Sequence, residues 1–380
     1  MAGIYLHIPF CKQACHYCNF HFTTSLRGKN ELVAALLSEM SLRKDYLENE
    51  PIETIYFGGG TPSLLEIEDM RLQIERIFST YSVMPDAEIT IETNPDDITA
   101  QKLIAWKKLG INRLSIGIQS FFDDDLKWLN RAHNAVQATA GLHLAMTYFD
   151  NISIDLIYGI PLLTNIKWKD NVNRAIDYNL PHLSCYALTV EPKTPLYKMI
   201  RERRMPDIDP GKQSEQFLLL MQWMGEGGYE HYEISNFAKP GFRSRHNSSY
   251  WEGRKYIGIG PSAHSFDGIS RQWNVSNNHV YTDALNRDVT TFEKEILTPI
   301  QQINEYIMTS LRTIEGLNLQ LVDETLRGEL QGASKKYVER GLIEEKQNHL
   351  KLTKEGKLLA DGIAADLFFD NEETKIARLR

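Results

Sequence analysis

Compact runs of mostly apolar, β-favouring residues recur at 3–8, 52–57, 88–92, 113–118, 151–157 and 182–188, and each is followed by a longer stretch with apolar residues at helical spacing. The runs predict strands, and the stretches near 30–47, 66–80, 99–109, 122–130, 135–146 and 167–178 predict helices. Strictly alternating strands and helices argue for an α/β fold in which helices cover a parallel sheet or barrel. Several strands end in residues that packing alone rarely calls for: Gly58-Gly59-Gly60-Thr61-Pro62, Glu92-Thr93-Asn94-Pro95, Gln119-Ser120, and Asp155 ahead of Tyr158-Gly159. In parallel α/β architectures the carboxyl ends of the strands face the site, so these residues are expected to share one.

The alternation fades after about residue 235 into a stretch rich in Gly, Ser and aromatics, from Asn236 to Asn278, that reads as loops and short irregular strands. From Pro299 a helical pattern returns over Gln301 to Ile314, Leu319 to Glu324 and Gly332 to Arg340. A hairpin of Gly341-Leu342-Ile343-Glu344 and His349-Leu350-Lys351-Leu352-Thr353 and a last helix, Lys354 to Leu367, complete a winged-helix-like pattern. The expected organisation is a core over 1–235, a joining segment over 236–298 and a winged-helix-like domain over 299–380.

Composition narrows the function classes. The 380 residues are 42% hydrophobic with a net charge of −8, so nothing draws the whole surface to nucleic acid or anionic lipid. The winged-helix-like region has mixed charges and no basic, aromatic-interleaved face, so nucleic acid is not an expected partner. No basic-then-apolar leader opens the sequence and no run is long enough to span a bilayer. A cytoplasmic protein is expected, with peripheral membrane contact left open.

Three of the four cysteines, Cys11, Cys15 and Cys18, fall in one loop directly after the first strand. Iron–sulfur clusters favour soft thiolate ligands, and three thiolates on a cluster of four irons leave one iron open to a substrate. The residues also allow a zinc site completed by His7, His16 or His21, although structural zinc sites usually bring a second ligand pair. Cys185, isolated in Leu183-Ser184-Cys185-Tyr186, reads as a small core residue.

The spacing Cys11, Cys15, Cys18 with a glycine run ending the next strand resembles the radical S-adenosylmethionine (SAM) superfamily. That resemblance implies a partial (β/α) barrel, a [4Fe–4S] cluster on the three cysteines, and SAM chelated at the open iron and cleaved to a 5′-deoxyadenosyl radical. Four blocks are similar to the coproporphyrinogen III dehydrogenase and heme-chaperone branch: residues 5–11 (YLHIPFC), 57–63 (FGGGTPS), 113–121 (RLSIGIQSF) and 155–161 (DLIYGIP). The resemblance implies that Tyr5, Gly59, Gly60, Thr61, Glu92, Gln119, Arg131, Asp155 and Ala187 line the SAM pocket. Such residue types suit the task, since carboxylates accept from ribose hydroxyls or an amine and Arg pairs with a carboxylate. Taken singly, the glycines could form a turn, Asp155 a helix cap and Arg131 a surface ion pair.

Within that branch, the decarboxylating dehydrogenase carries a further cysteine two places after the third ligand, where this chain has Phe20, and an N-terminal extension before its first motif strand. Residues 246–251, HNSSYW, match the signature of the heme chaperones called HemW. The resemblance implies His246 as a heme ligand with Tyr250 and Trp251 as walls; the other reading has Tyr250 and Trp251 filling the core while His246 hydrogen-bonds the backbone. His264 occupies a position that faces SAM in relatives. The expected function is a heme chaperone that delivers heme to apo-hemoproteins, with a homodimer among the forms it could take. The competing reading is an oxygen-independent coproporphyrinogen III oxidase, which would need a flavodoxin- or ferredoxin-type electron donor.

Overall fold

A computed structural model describes residues 1–370 of the chain; residues 371–380, the end of the expected C-terminal domain, lie outside the described residues. The predicted alternation is present: β1 (Ala2–Ile8), α1 (Lys29–Leu42), β2 (Ile52–Gly59), α2 (Ile67–Thr80), β3 (Val83–Thr93), α3 (Ala100–Lys108), β4 (Arg113–Gln119), α4 (Asp123–Trp128), α5 (Ala135–Met146), β5 (Ile152–Tyr158), α6 (Asn165–Asp177) and β6 (His182–Ala187). These strands lie side by side in chain order and all parallel. Their apolar positions, among them Ile4, Leu6, Ile55, Phe57, Ile91, Ile116, Ile154 and Leu183, form one core with the inward faces of the helices. Local signals set several helix starts: Asn134 and Gln137 form a capping box at α5, and Thr164 caps α6. α1 stops at Leu42 rather than near residue 47, because the chain turns through left-handed Glu48 and Asn49 to reach β2.

Two further helices, α7 (Pro195–Arg201) and α8 (Pro210–Glu226), lead to β7 (Glu230–Glu233) and β8 (Asn236–Ala238), which pair antiparallel beyond β6. The Gly- and Ser-rich stretch that follows is more regular than expected. It forms α9 (Arg245–Trp251), β9 (Tyr256–Ile259), β10 (His264–Phe266), β11 (Ser270–Asn274), α10 (Asn278–Leu285) and β12 (Phe292–Ile296). β9 pairs parallel with β1 from its free side, and β10, β11 and β12 continue the sheet antiparallel. Short strands carry a weak sequence signal, and these become regular because an existing sheet edge supplies their hydrogen-bond partners. The twelve-stranded sheet runs β12-β11-β10-β9-β1-β2-β3-β4-β5-β6-β8-β7 and does not close on itself. The architecture is an open, partial (β/α) barrel.

The C-terminal part has its own core, built on Ile307, Leu311, Leu330, Leu350 and Ile363. It comprises α11 (Pro299–Leu311), β13 (Leu317–Asn318), α12 (Glu324–Glu339), the hairpin β14 (Ile343–Lys346) and β15 (His349–Leu352), and α13 (Ala360–Asp366), with strand order β13-β15-β14. This is the expected winged-helix-like arrangement with two corrections. The segments expected as separate helices at 319–324 and 332–340 are a 3₁₀ turn, Leu319–Leu321, and one continuous helix that begins behind the Asp323 cap. Gly328 and Gly332, inside that helix, sit on a face with open space around them and are tolerated at modest cost. The last helix begins as a 3₁₀ turn, Gly356–Leu359, before α13.

Candidate functional site

The carboxyl ends of β1 to β6 open onto one cavity of about 470 Å³. The loop after β1 brings Cys11, Cys15 and Cys18 to its mouth as free, half-buried thiols. Thr61 Oγ1 donates to Cys11 Sγ at 3.6 Å, and Arg131 Nη1 lies 3.4 Å from Cys15 Sγ. Burial raises the Cys11 thiol and pushes Cys18 up to about 11. Each of the three histidines that could complete a zinc site has a ring nitrogen in a hydrogen bond: His7 Nε2 with the His21 carbonyl at 2.8 Å, His16 Nδ1 with the Trp128 carbonyl at 3.1 Å, and His21 Nε2 with Asn278 Oδ1 at 2.7 Å.

The residues singled out in the sequence mostly meet here. Gly59, Gly60, Thr61 and Glu92 line the cavity from β2 and β3, and Gln119, Arg131, Asp155 and Ala187 line it from β4, β5, β6 and the loop before α5. Gly59 takes φ 106°, which other residues adopt only with strain, and a Cβ on Gly60 would stand 2.7 Å from the Phe10 carbonyl oxygen. Gln119 sits at φ 67° where the β4–β5 register slips between Ile116 and Gln119, a bulge that turns its side chain into the site. Tyr5 is the exception, set behind the wall with its hydroxyl 3.1 Å from His7 Nδ1.

Two carboxylates face one guanidinium across this space. Glu92 accepts from the Tyr56 hydroxyl at 2.9 Å and from the Gly59 N–H at 3.1 Å. Burial and the charge of Asp155 push Glu92 up to about 7, and burial raises Asp155 to about 6. Burial works against the Arg131 charge, but Tyr17 and Cys15 beside it keep it protonated. Arg131 Nη2 donates to Asn94 Oδ1 at 2.6 Å and to the Gly117 carbonyl at 3.0 Å, while its Nε–H is buried without a partner among the described residues. Soft thiols beside a cation, bare glycine backbone and a wall that carries two carboxylates and a spare N–H suit an iron–sulfur cluster next to a zwitterionic, hydroxyl-bearing cofactor.

Sequence reasoning did not assign Tyr17, Ser115 or Tyr186, which also line the cavity. Tyr17 had a signal in its place between two cluster cysteines. Ser115 and Tyr186 had none, since each is one more polar or aromatic residue within a strand. Phe20 is 68% exposed at the mouth. Cys185 is buried in the core, as read from the sequence.

The HNSSYW motif lies elsewhere. It forms α9, and none of His246, Tyr250 or Trp251 lines the cavity. His246 is 1% exposed, with Nδ1 2.8 Å from Thr54 Oγ1 and Nε2 2.9 Å from the Tyr250 hydroxyl. Its ring partners are side chains, whereas the alternative to a heme ligand places them on the backbone. Trp251 borders a smaller cavity of about 220 Å³ beside the C-terminal part, with the Arg312 guanidinium 5.2 Å from its ring. His264 is exposed on β10, stacked on Trp273, outside the residues that line the larger cavity.

Comparison with known proteins agrees with this arrangement. Residues 5–190 match the radical SAM superfamily and residues 297–359 the HemN C-terminal domain. The heme chaperone HemW of Bacillus subtilis is 33% identical over 371 residues, covering 96% of this chain and 98% of its own. That of Escherichia coli is 36% identical over 270 residues, covering 69% of each chain. Among solved structures, coproporphyrinogen III oxidase (HemN) from Escherichia coli, a radical SAM enzyme, superposes with a TM-score of 0.83 at 22% identity, covering 97% of this chain and 90% of that one. With 31–33% identity to such chaperones over 96% of its length and the radical SAM match over its barrel, the chain belongs to the radical SAM superfamily and, within it, to the HemW family.

Proposed function

We propose that this chain is a heme chaperone of the radical SAM type, which binds heme as cargo and passes it to apo-hemoproteins. On this reading Cys11, Cys15 and Cys18 hold a [4Fe–4S] cluster, and SAM occupies the adjoining cavity. The observation that carries it is the meeting of three thiols, a glycine strand end, Glu92, Asp155 and Arg131 around one cavity. Such a cluster would supply an electron and an iron corner for SAM. The chain's own residues do the rest: the backbone at Gly59 and Gly60 admits the amino-acid end of the cofactor at close range. Arg131 pairs with a carboxylate, and Glu92 and Asp155 accept from an ammonium or from hydroxyls. The names of the relatives support heme as the cargo, and Phe20 beside the third cysteine argues against porphyrinogen decarboxylation.

A cytoplasmic location fits three thiols kept reduced for metal. A flavodoxin or ferredoxin is the class of donor that such a cluster would use. Among the described residues no helix is long and apolar enough to cross a membrane.

Anaerobic reconstitution tests the cluster. About four irons per chain are expected, and replacing the three cysteines with alanine should remove them. Incubation with reductant, SAM and coproporphyrinogen III should yield no protoporphyrinogen, while heme supplied on the protein should move to an apo-hemoprotein. Clear porphyrinogen turnover would replace the chaperone with the oxidase.

A further inference from the structure

His246 is built into the wall behind the cavity. Its ring stacks on Tyr56 with centroids 4.9 Å apart and planes at 23°, and Tyr5 packs against both rings, 6.1 Å from Tyr56 and 6.4 Å from His246. The seat is shaped for it from below: a Cβ on Gly3 would come within 2.8 Å of Thr54 Oγ1 and 3.4 Å of the imidazole. The start of α9 is pinned from above, where the backbone N–H of His246 donates to Glu88 Oε1 at 3.1 Å and Arg245 Nη2 donates to Glu53 Oε1 at 2.8 Å. Burial and the charge of Arg113 hold the imidazole neutral, so its hydrogen bonds to Thr54 and Tyr250 need no change of charge with pH in the working range. On the cavity side of this stack, the Tyr56 hydroxyl reaches Glu92.

We propose that His246 is a positioning residue for the Glu92 carboxylate, acting through Tyr56. The imidazole, fixed at both nitrogens, presses one face of the Tyr56 ring and holds its hydroxyl on Glu92, so that the carboxylate faces the cofactor cavity in one orientation. A ligand role for either nitrogen would first require its hydrogen bond to break and the ring to leave a closed seat. The HNSSYW motif therefore acts from behind the cofactor cavity, and the proposal rests on reading Glu92 as part of the SAM site.

A double-mutant cycle on the reconstituted protein, scored by SAM affinity, tests it. His246→Ala and Tyr56→Phe should each weaken SAM about fivefold, as expected for loss of one ring contact or one hydrogen bond to a carboxylate. The double variant should be no weaker than Tyr56→Phe alone, because both changes break one path. His246→Phe, which keeps the stacked ring without the nitrogens, should recover most of the affinity. Additive losses would mean general damage and overturn the proposal. So would intact SAM affinity in His246→Ala combined with a lost heme Soret shift, which would make His246 a ligand. Should His246→Ala fail to fold, His246→Phe and His246→Gln carry the comparison: the flat ring must outperform the amide. Glu92→Gln separates the two readings. If it binds SAM as the wild type does, the reading of Glu92 falls and the proposal with it; if it weakens SAM while His246→Ala does not, only the positioning role falls.

Discussion

Glu92 and Asp155 stand in the same cavity wall, where burial and the charge of Asp155 disfavour ionisation of Glu92. Glu92 is raised from an ordinary 4.5 to about 7. The folded chain therefore binds a proton that the unfolded chain has released between about pH 4.5 and 7, and stability falls as pH rises through that window. Cluster-free protein should lose roughly 1–3 kcal/mol from this group between pH 5 and 8, a loss that Glu92→Gln removes; urea unfolding at the two pH values measures it. Cofactor affinity should move the other way. An ionised carboxylate is the better acceptor from an ammonium or hydroxyl, so SAM should bind more tightly at pH 8 than at pH 6. Equilibrium dialysis at both pH values would show it, and a flat profile would take Glu92 out of the contact.

The strand ends, more than the helices, form the site. β2 must finish in residues with no Cβ, because the loop after β1 crosses it at contact distance: the Gly60 N–H donates to the Ile8 carbonyl at 2.9 Å. Gly60→Val should therefore displace the cysteine loop, with iron content after reconstitution falling well below that of the wild type, and full loading would show that the loop has slack. The helix caps act locally. Thr298 forms a capping box with Gln301 at α11, and Thr298→Ala should cost about 1 kcal/mol in thermal or urea unfolding, with iron loading unchanged. The features least legible in the sequence belong to this scale as well. Propensity gave no hint that Gln119 occupies a left-handed bulge, since a bulge exists only relative to the neighbouring strand. Likewise, the continuity of α12 through two glycines follows from which face of the helix is left open.

Across the molecule, the C-terminal part is tied to the barrel at the β7–β8 turn. Buried Glu233 takes Arg312 at 3.1 Å, the N–H of Ser235 at 3.0 Å and the Asn236 amide at 2.7 Å, while Ile234 N–H donates to the Arg312 carbonyl at 3.1 Å. Removing the arginine side chain leaves a buried carboxylate short of its counter-charge, so Arg312→Ala should destabilise the chain by about 3 kcal/mol, read by urea unfolding. A loss under 1 kcal/mol would mean that water or the remaining donors take its place. The sequence by itself determined the βα order, the strand ends that carry chemistry and the three cysteines, because periodicity and spacing are local properties that every plausible packing must respect. Only the tertiary structure decided that the stretch after residue 235 completes the sheet and that His246 points inward to Thr54 and Tyr250. Both depend on which surfaces meet: a short strand becomes regular only beside a partner, and a histidine becomes a brace or a ligand according to what fills the space around its two nitrogens.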